Sequence, residues 1–175
     1  MSKLSDETLL RAADALRRGD APKAVGICTI TGARFFDAPS LITEIDNVLT
    51  RTPQVLADCP DHILRPLRVA AGLMLLTGGS SIRRFIAMDG DHSYRYKPES
   101  VVHLLISHAS HVLRCASLAN TGITKVQVLG SGLPDECSVC REISHRRLTL
   151  ADAPELPLVD CTCPGGCKCI LVAVA

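Results

Sequence analysis

Six of the nine cysteines in this 175-residue chain fall between Cys137 and Cys169, and no other feature narrows the possible folds as much. Thiols this dense in so short a segment point to a staple, because such a segment cannot bury enough apolar surface to fold alone. Their odd total and uneven placement argue against a disulfide framework and for a reducing compartment. Cys137-Ser-Val-Cys140 is a C-x2-C knuckle, in which a tight turn aims two thiolates at one point while backbone N–H groups can hydrogen-bond the sulfurs. A second ligand pair is then required, and the C-x2-C…C-x2-C template places it about twenty residues on. Cys161-Thr-Cys163-Pro-Gly-Gly-Cys167-Lys-Cys169 supplies it, with Gly165 and Gly166 letting the chain fold back sharply.

Zinc suits this donor set best, and six sulfurs exceed the four of a closed tetrahedral site. Two arrangements stay open. One ion takes Cys137, Cys140 and two of the last four cysteines, or two ions share all six: Cys137, Cys140, Cys161, Cys163, Cys167 and Cys169. The C-x-C spacing favours the second, since both sulfurs of so short a loop strain to reach one tetrahedral ion. Four thiolates on one zinc leave a net charge of about −2, which Arg141, Arg146, Arg147 and Lys168 are placed in sequence to offset. Iron–sulfur ligation fits less well, because there is no C-x2-C-x2-C run. The plainer alternative is a set of small buried thiols with one redox-active pair.

Ahead of the cysteines the chain reads as helical. Hydrophobic residues make up 47% of it and aromatics only 3%, so the core must be built from Leu, Ile, Val and Ala. Ser5 caps a first helix that opens with Asp6 and Glu7 and stops at Gly19. The segment from Ala24 to Ile30 is ambiguous between helix and strand. Further helices are expected from Pro39 to Thr50, from Asp61 to Leu76, after Ser80 or Ser81, and from Pro98 to about Asn120, with a polar surface loop over Asp89 to Lys97. After Gly122 the pattern turns β-prone through Val126 and Val128, then Gly130-Ser131-Gly132 makes a turn, and Cys169 to Val174 reads as a closing strand. The expected architecture is mainly α: a helical domain over residues 1–122 and a cysteine-rich module over 123–175, a metal-stapled α/β or β-ribbon unit.

Nineteen basic residues against eighteen acidic ones give a net charge of +1, so any attraction to nucleic acid must be local. The N-terminus carries charge throughout, unlike a secretory signal, and no uninterrupted apolar run reaches membrane-spanning length. A cytoplasmic protein without a membrane partner is the expectation. The hydrolase signatures His-Glu-x-x-His and Gly-x-Ser-x-Gly and the Walker loop are absent, and the His-x-Glu element of a zinc deaminase is missing beside Cys137. No catalytic residue is nominated. His108 with His111, and Cys59 with His62, have ligand-like spacings, yet packed or surface roles explain them as well. Cys28 and Cys115 read as core filler. Gly78-Gly79-Ser80-Ser81 with Arg83 and Arg84 reads as an inter-helix turn, and Asp89, Asp91 and His92 as a solvated loop with no EF-hand acid at position 100.

The run from Thr124 to Cys169 has a strand, Cys137-Ser-Val-Cys140-Arg-Glu-Ile, a Leu148/Leu150 segment, Ala153-Pro-Glu-Leu-Pro and a terminal Cys167-Lys-Cys169. It resembles the cysteine-rich tail of phage head-morphogenesis (minor capsid) proteins. The likeness covers about a quarter of the chain, and the sequence departs from the family at Pro164-Gly165-Gly166, where a His-Pro-Asn element is usual, and in its extra Cys161 and Cys163. The resemblance implies a non-enzymatic, zinc-stabilised protein that assembles with a protein partner or with itself, in the host cytoplasm or the virion. Two other classes compete with it: a zinc-knuckle regulator that contacts nucleic acid through Arg141, Arg146 and Arg147, and a thiol-based redox or metal-sensing protein.

Overall fold

A computed structural model describes residues 4–31, 37–78, 94–164 and 166–174. The expected helix after Ser80, the Gly79–Arg84 anion-site candidate and the loop at Asp89–His92 lie outside the described residues. Among those described there are six α-helices and a small three-stranded antiparallel sheet, so the chain is mainly helical with a cysteine-rich C-terminal region. It forms two compact units, Met1–Arg51 with Cys59–Val102, and Thr52–Asp58 with His103–Ala175. The change of patterning at Gly122 is thus not where the packing divides. That division falls inside a helix, because the second half of the helix packs with the segment that follows it.

In the first unit, α1 (Asp6–Arg17) starts where the Ser5 hydroxyl accepts from the Thr8 N–H at 3.2 Å, leaving Asp6 and Glu7 in the first turn. It ends at Gly19, whose φ of +73° turns the chain so that the Asp20 N–H can reach the Ala15 carbonyl. Asp20 then caps α2 (Ala21–Ile30) by accepting from the Lys23 N–H, which settles the ambiguous segment as helix. Asp37 caps α3 (Ala38–Thr50) in the same way through Ser40. The fourth helix, α4 (Asp61–Thr77), contains Pro66 and stops at Gly78 with φ +68°.

Burial of Leu16, Val25, Ile45, Leu73 and Leu76 with a set of alanines makes the core of this helical unit. Alanine on facing helices allows close approach, and Gly72 sits where an added Cβ would lie 3.0 Å from a Leu16 methyl. Arg68 closes the end of α3 by donating to the Val48 and Arg51 carbonyls.

The long helix α5 (Pro98–Asn120) carries the chain from the first unit into the second. Among the described residues it is long and apolar enough, by length and composition, to cross a membrane, a feature that counting uninterrupted apolar runs had missed. It also holds Arg114, His103, His108 and His111, and it buries Val101, Val102, Leu104, Leu105 and Ala109.

In the second unit β1 (Lys125–Leu129) is the central strand, flanked by β2 (Arg147–Thr149) and β3 (Ile170–Ala173), both antiparallel to it. Val126 and Val128 face inward in alternation, and Leu156, Leu158 and Leu171 join them. Between β1 and β2 lies the short helix α6 (Ser138–Ile143). A one-turn 3-10 helix, Gln54–Leu56, belongs to this unit, and its Gln54 N–H donates to Glu155 at 2.9 Å.

Candidate metal centre

Strand pairing brings the two sulfur-bearing segments together. In the β1–β3 ladder Leu129 stands opposite Ile170, so the turn that leaves β1 toward Cys137 and the loop that enters β3 from Cys169 emerge at one end of the sheet. The turn at Gly130-Ser131-Gly132 is pinned by Glu136, a buried carboxylate that accepts from the Ser131 N–H at 2.7 Å. A side chain at Gly130 would collide with Glu136 and Ser144. Cys137 is the residue that precedes α6, and Cys140 lies in its first turn, so the C-x2-C pair is presented from one helical turn.

On the far side, the Cys161 N–H donates to the Leu158 carbonyl and the Gly166 N–H to the Cys163 carbonyl, forming two successive turns. Gly166 has φ +83°, and a Cβ there would stand 3.3 Å from a Leu104 methyl. The positive φ favours glycine there, and any side chain would also press Leu104 to move.

These turns converge six sulfurs. The Sγ atoms of Cys137, Cys140, Cys161 and Cys163 all lie within 4.8 Å of one another, and so do those of Cys140, Cys167 and Cys169. Individual separations are 3.5 Å for Cys140–Cys161, 3.8 Å for Cys140–Cys163, 3.9 Å for Cys140–Cys167 and 4.0 Å for Cys137–Cys161. All nine cysteines are free thiols. A disulfide needs sulfurs at about 2.05 Å, whereas a tetrahedral ion with metal–sulfur bonds of about 2.3 Å spaces its sulfurs by roughly 3.8 Å. The observed spacings match the second case, and the cluster can hold a metal ion. Both sulfurs of each C-x-C pair fall within one group, so the strain expected of that spacing does not separate them.

The proton affinities of the thiols divide sharply. For Cys137, burial works upward but is outweighed by the backbone N–H groups of Cys140 and Thr162 and by the Cys140 and Cys163 thiols, which leave it lowered to about 6. Its N–H in turn donates to the Cys163 sulfur at 3.3 Å. The Cys169 thiol, hydrogen-bonded to Cys167, holds that group down to about 5 against burial. Burial pushes Cys161 up to about 12 and raises Cys140 as well. Cys169 is raised first by its hydrogen bond to Cys167 and then by burial. Each sulfur group thus carries one ready thiolate.

The remaining candidates stand elsewhere. Cys28 is buried in the helical core, where desolvation raises its thiol. Cys59 is buried and directs its thiol toward the Pro60 carbonyl. His108 is a buried positioning group, with Nδ1 3.1 Å from the Leu156 carbonyl and 3.5 Å from Glu155, which ties α5 to the proline-rich stretch. His111 lies against the Cys115 sulfur at 3.6 Å through Nε2. Glu136 and His108 shape the module around the sulfurs, and only their burial reveals this; spacing in sequence gives no sign of it. Arg141, Arg146, Arg147 and Lys168 are exposed. No family model, curated protein or solved structure matches this chain.

Proposed function

We propose that this chain is a non-enzymatic assembly protein whose C-terminal module is stapled by zinc, with a role of the kind that phage head-morphogenesis proteins play. The observation that carries the zinc reading is the convergence of four cysteine sulfurs, Cys137, Cys140, Cys161 and Cys163, all within 4.8 Å of one another. An all-sulfur tetrahedral shell suits zinc and leaves no position for a reactive water, so the ion's work is structural. Support for the assembly role comes from the likeness of residues 124–169 to the minor capsid tail. With its fold fixed by metal, such a module offers a rigid surface to a partner or to a second copy of itself.

The test is metal content and protease resistance of the full chain purified under reducing conditions. Zinc should be present, and chelation should expose the module to protease. Cys137→Ser and Cys140→Ser should lower bound metal, while Cys28→Ser should retain it. Equal metal in all three variants would rule out the ligand assignment. For the assembly role, sedimentation should show self-association that chelation abolishes. A monomer in both states would sink it. If that monomer also bound DNA or RNA in a salt-dependent way, and neutralising Arg141, Arg146 and Arg147 abolished binding, the nucleic-acid reading would take its place.

A further inference from the structure

Two sulfur groups, not one, line the module, and Cys140 belongs to both. We infer that the module holds two zinc ions that share the Cys140 thiolate, the first completed by Cys137, Cys161 and Cys163 and the second held by Cys140, Cys167 and Cys169. This rests on the zinc reading above and goes beyond it in number and connectivity.

The argument begins with what one ion would leave behind. A single ion in the four-sulfur group uses Cys137, Cys140, Cys161 and Cys163 and strands Cys167 and Cys169, which are only 5% and 6% exposed and gather on Cys140. Three convergent, buried sulfurs beside a filled site form a second donor set of the same chemistry. Cys140 is the shared sulfur by its place in both groups. The six cysteines then make seven metal–sulfur bonds, four to the first ion and three to the second, whose fourth position is left for a non-protein ligand.

Cys140 stands 3.8 Å from Cys163 in the first group and 3.9 Å from Cys167 in the second, the sulfur spacing that a tetrahedral ion on either side requires. Cys161, 3.5 Å from Cys140, falls in the first group alone. Charge agrees as well: six thiolates and two divalent ions leave about −2, the same as one ion with four thiolates, so the second ion adds no uncompensated charge.

The experiment measures zinc per chain on the intact protein by mass spectrometry, then replaces zinc with cadmium-113 and records its nuclear resonance spectrum. Two ions per chain and two cadmium signals that split each other through the shared Cys140 sulfur are expected. One ion, or one signal, would overturn the second site while leaving the zinc staple standing. Two signals with no mutual splitting would overturn the sharing of Cys140. No bound metal would overturn the zinc reading itself. Cys169→Ser should keep one ion, and a variant that retained two would remove Cys169 from the ligand set. Because the wild-type spectrum decides the bridging by itself, a Cys169→Ser chain that failed to fold would not rescue the proposal.

Discussion

Gly166→Ala is the sharpest probe of the link between loop geometry and metal. The loop that delivers Cys167 runs through a φ of +83°, and a Cβ at that position meets the Leu104 side chain at 3.3 Å. Holding a non-glycine residue in the left-handed region costs about 1–2 kcal/mol. Leu104 is buried, at 2% exposure, so the extra methyl must displace a side chain that has little room to move. An off-rotamer shift of that kind adds about 0.5–1.5 kcal/mol. The metal-bound loop must keep this turn and the metal-free loop can relax it, so the strain appears as lost metal affinity. A combined penalty of about 1.5–3.5 kcal/mol weakens zinc roughly 10- to 400-fold in a chelator competition. Gly19→Ala is the control, with a similar φ of +73°, nothing within 4 Å of its Cβ and a place in the helical unit. It should lower the melting temperature and leave zinc affinity unchanged. Wild-type affinity in Gly166→Ala would refute the reasoning.

Three further outcomes follow from the same structure. Ser5→Ala removes the acceptor for the Thr8 N–H and should cost the helical unit about 1 kcal/mol, read from chemical denaturation. In the folded chain Cys28, buried in the helical core with its thiol raised by desolvation, should stay unreactive to iodoacetamide at neutral pH and react once denatured; equal rates in the two states would contradict its burial. Burial, and then the neighbouring His108, lower the pKa of His111 below its ordinary 6.5. The unfolded chain therefore takes up that proton first as pH falls below about 6.5, so stability should decline through that window, and His111→Gln should flatten the decline.

Legibility in the sequence depended on how local each signal was. The first helix could be read because cap, first-turn acids and terminal glycine all sit inside it, at Ser5, Asp6, Glu7 and Gly19. The second was ambiguous because Thr29 and Thr31 looked strand-like. In the fold their hydroxyls donate back to the carbonyls of Val25 and Ile27, and Asp20 with Pro22 supplies the start signal. Strand β2, three residues long, has no pattern of its own and exists because β1 offers it an edge at Val126 opposite Leu148. The one-turn helix at Gln54–Leu56 joins the C-terminal unit through Glu155, a pairing too distant in the chain for periodicity to reveal. The cysteines could be read as a group. Their division into two sets through Cys140 could not, since it depends on the turn at Gly166 and the β1–β3 register.

On the proposed zinc reading, the composition of the module's interior couples metal binding to folding. Among the described residues its core has nine buried members, four of which are Cys140, Cys161, Cys167 and Cys169. With so many sulfurs in place of aliphatic side chains, a metal staple supplies stability that the apolar core alone lacks, as structural zinc does in zinc-finger peptides. Damage to the apolar part should therefore register at the metal. Leu171, 1% exposed on β3, packs in the same core as the cysteines, and Leu171→Ala should cost about 2–5 kcal/mol and weaken zinc roughly 30-fold or more. Leu73→Ala, equally buried in the helical core, should cost as much in thermal stability and leave zinc affinity alone. Equal zinc affinity in both variants would mean that the module holds its fold without the ion.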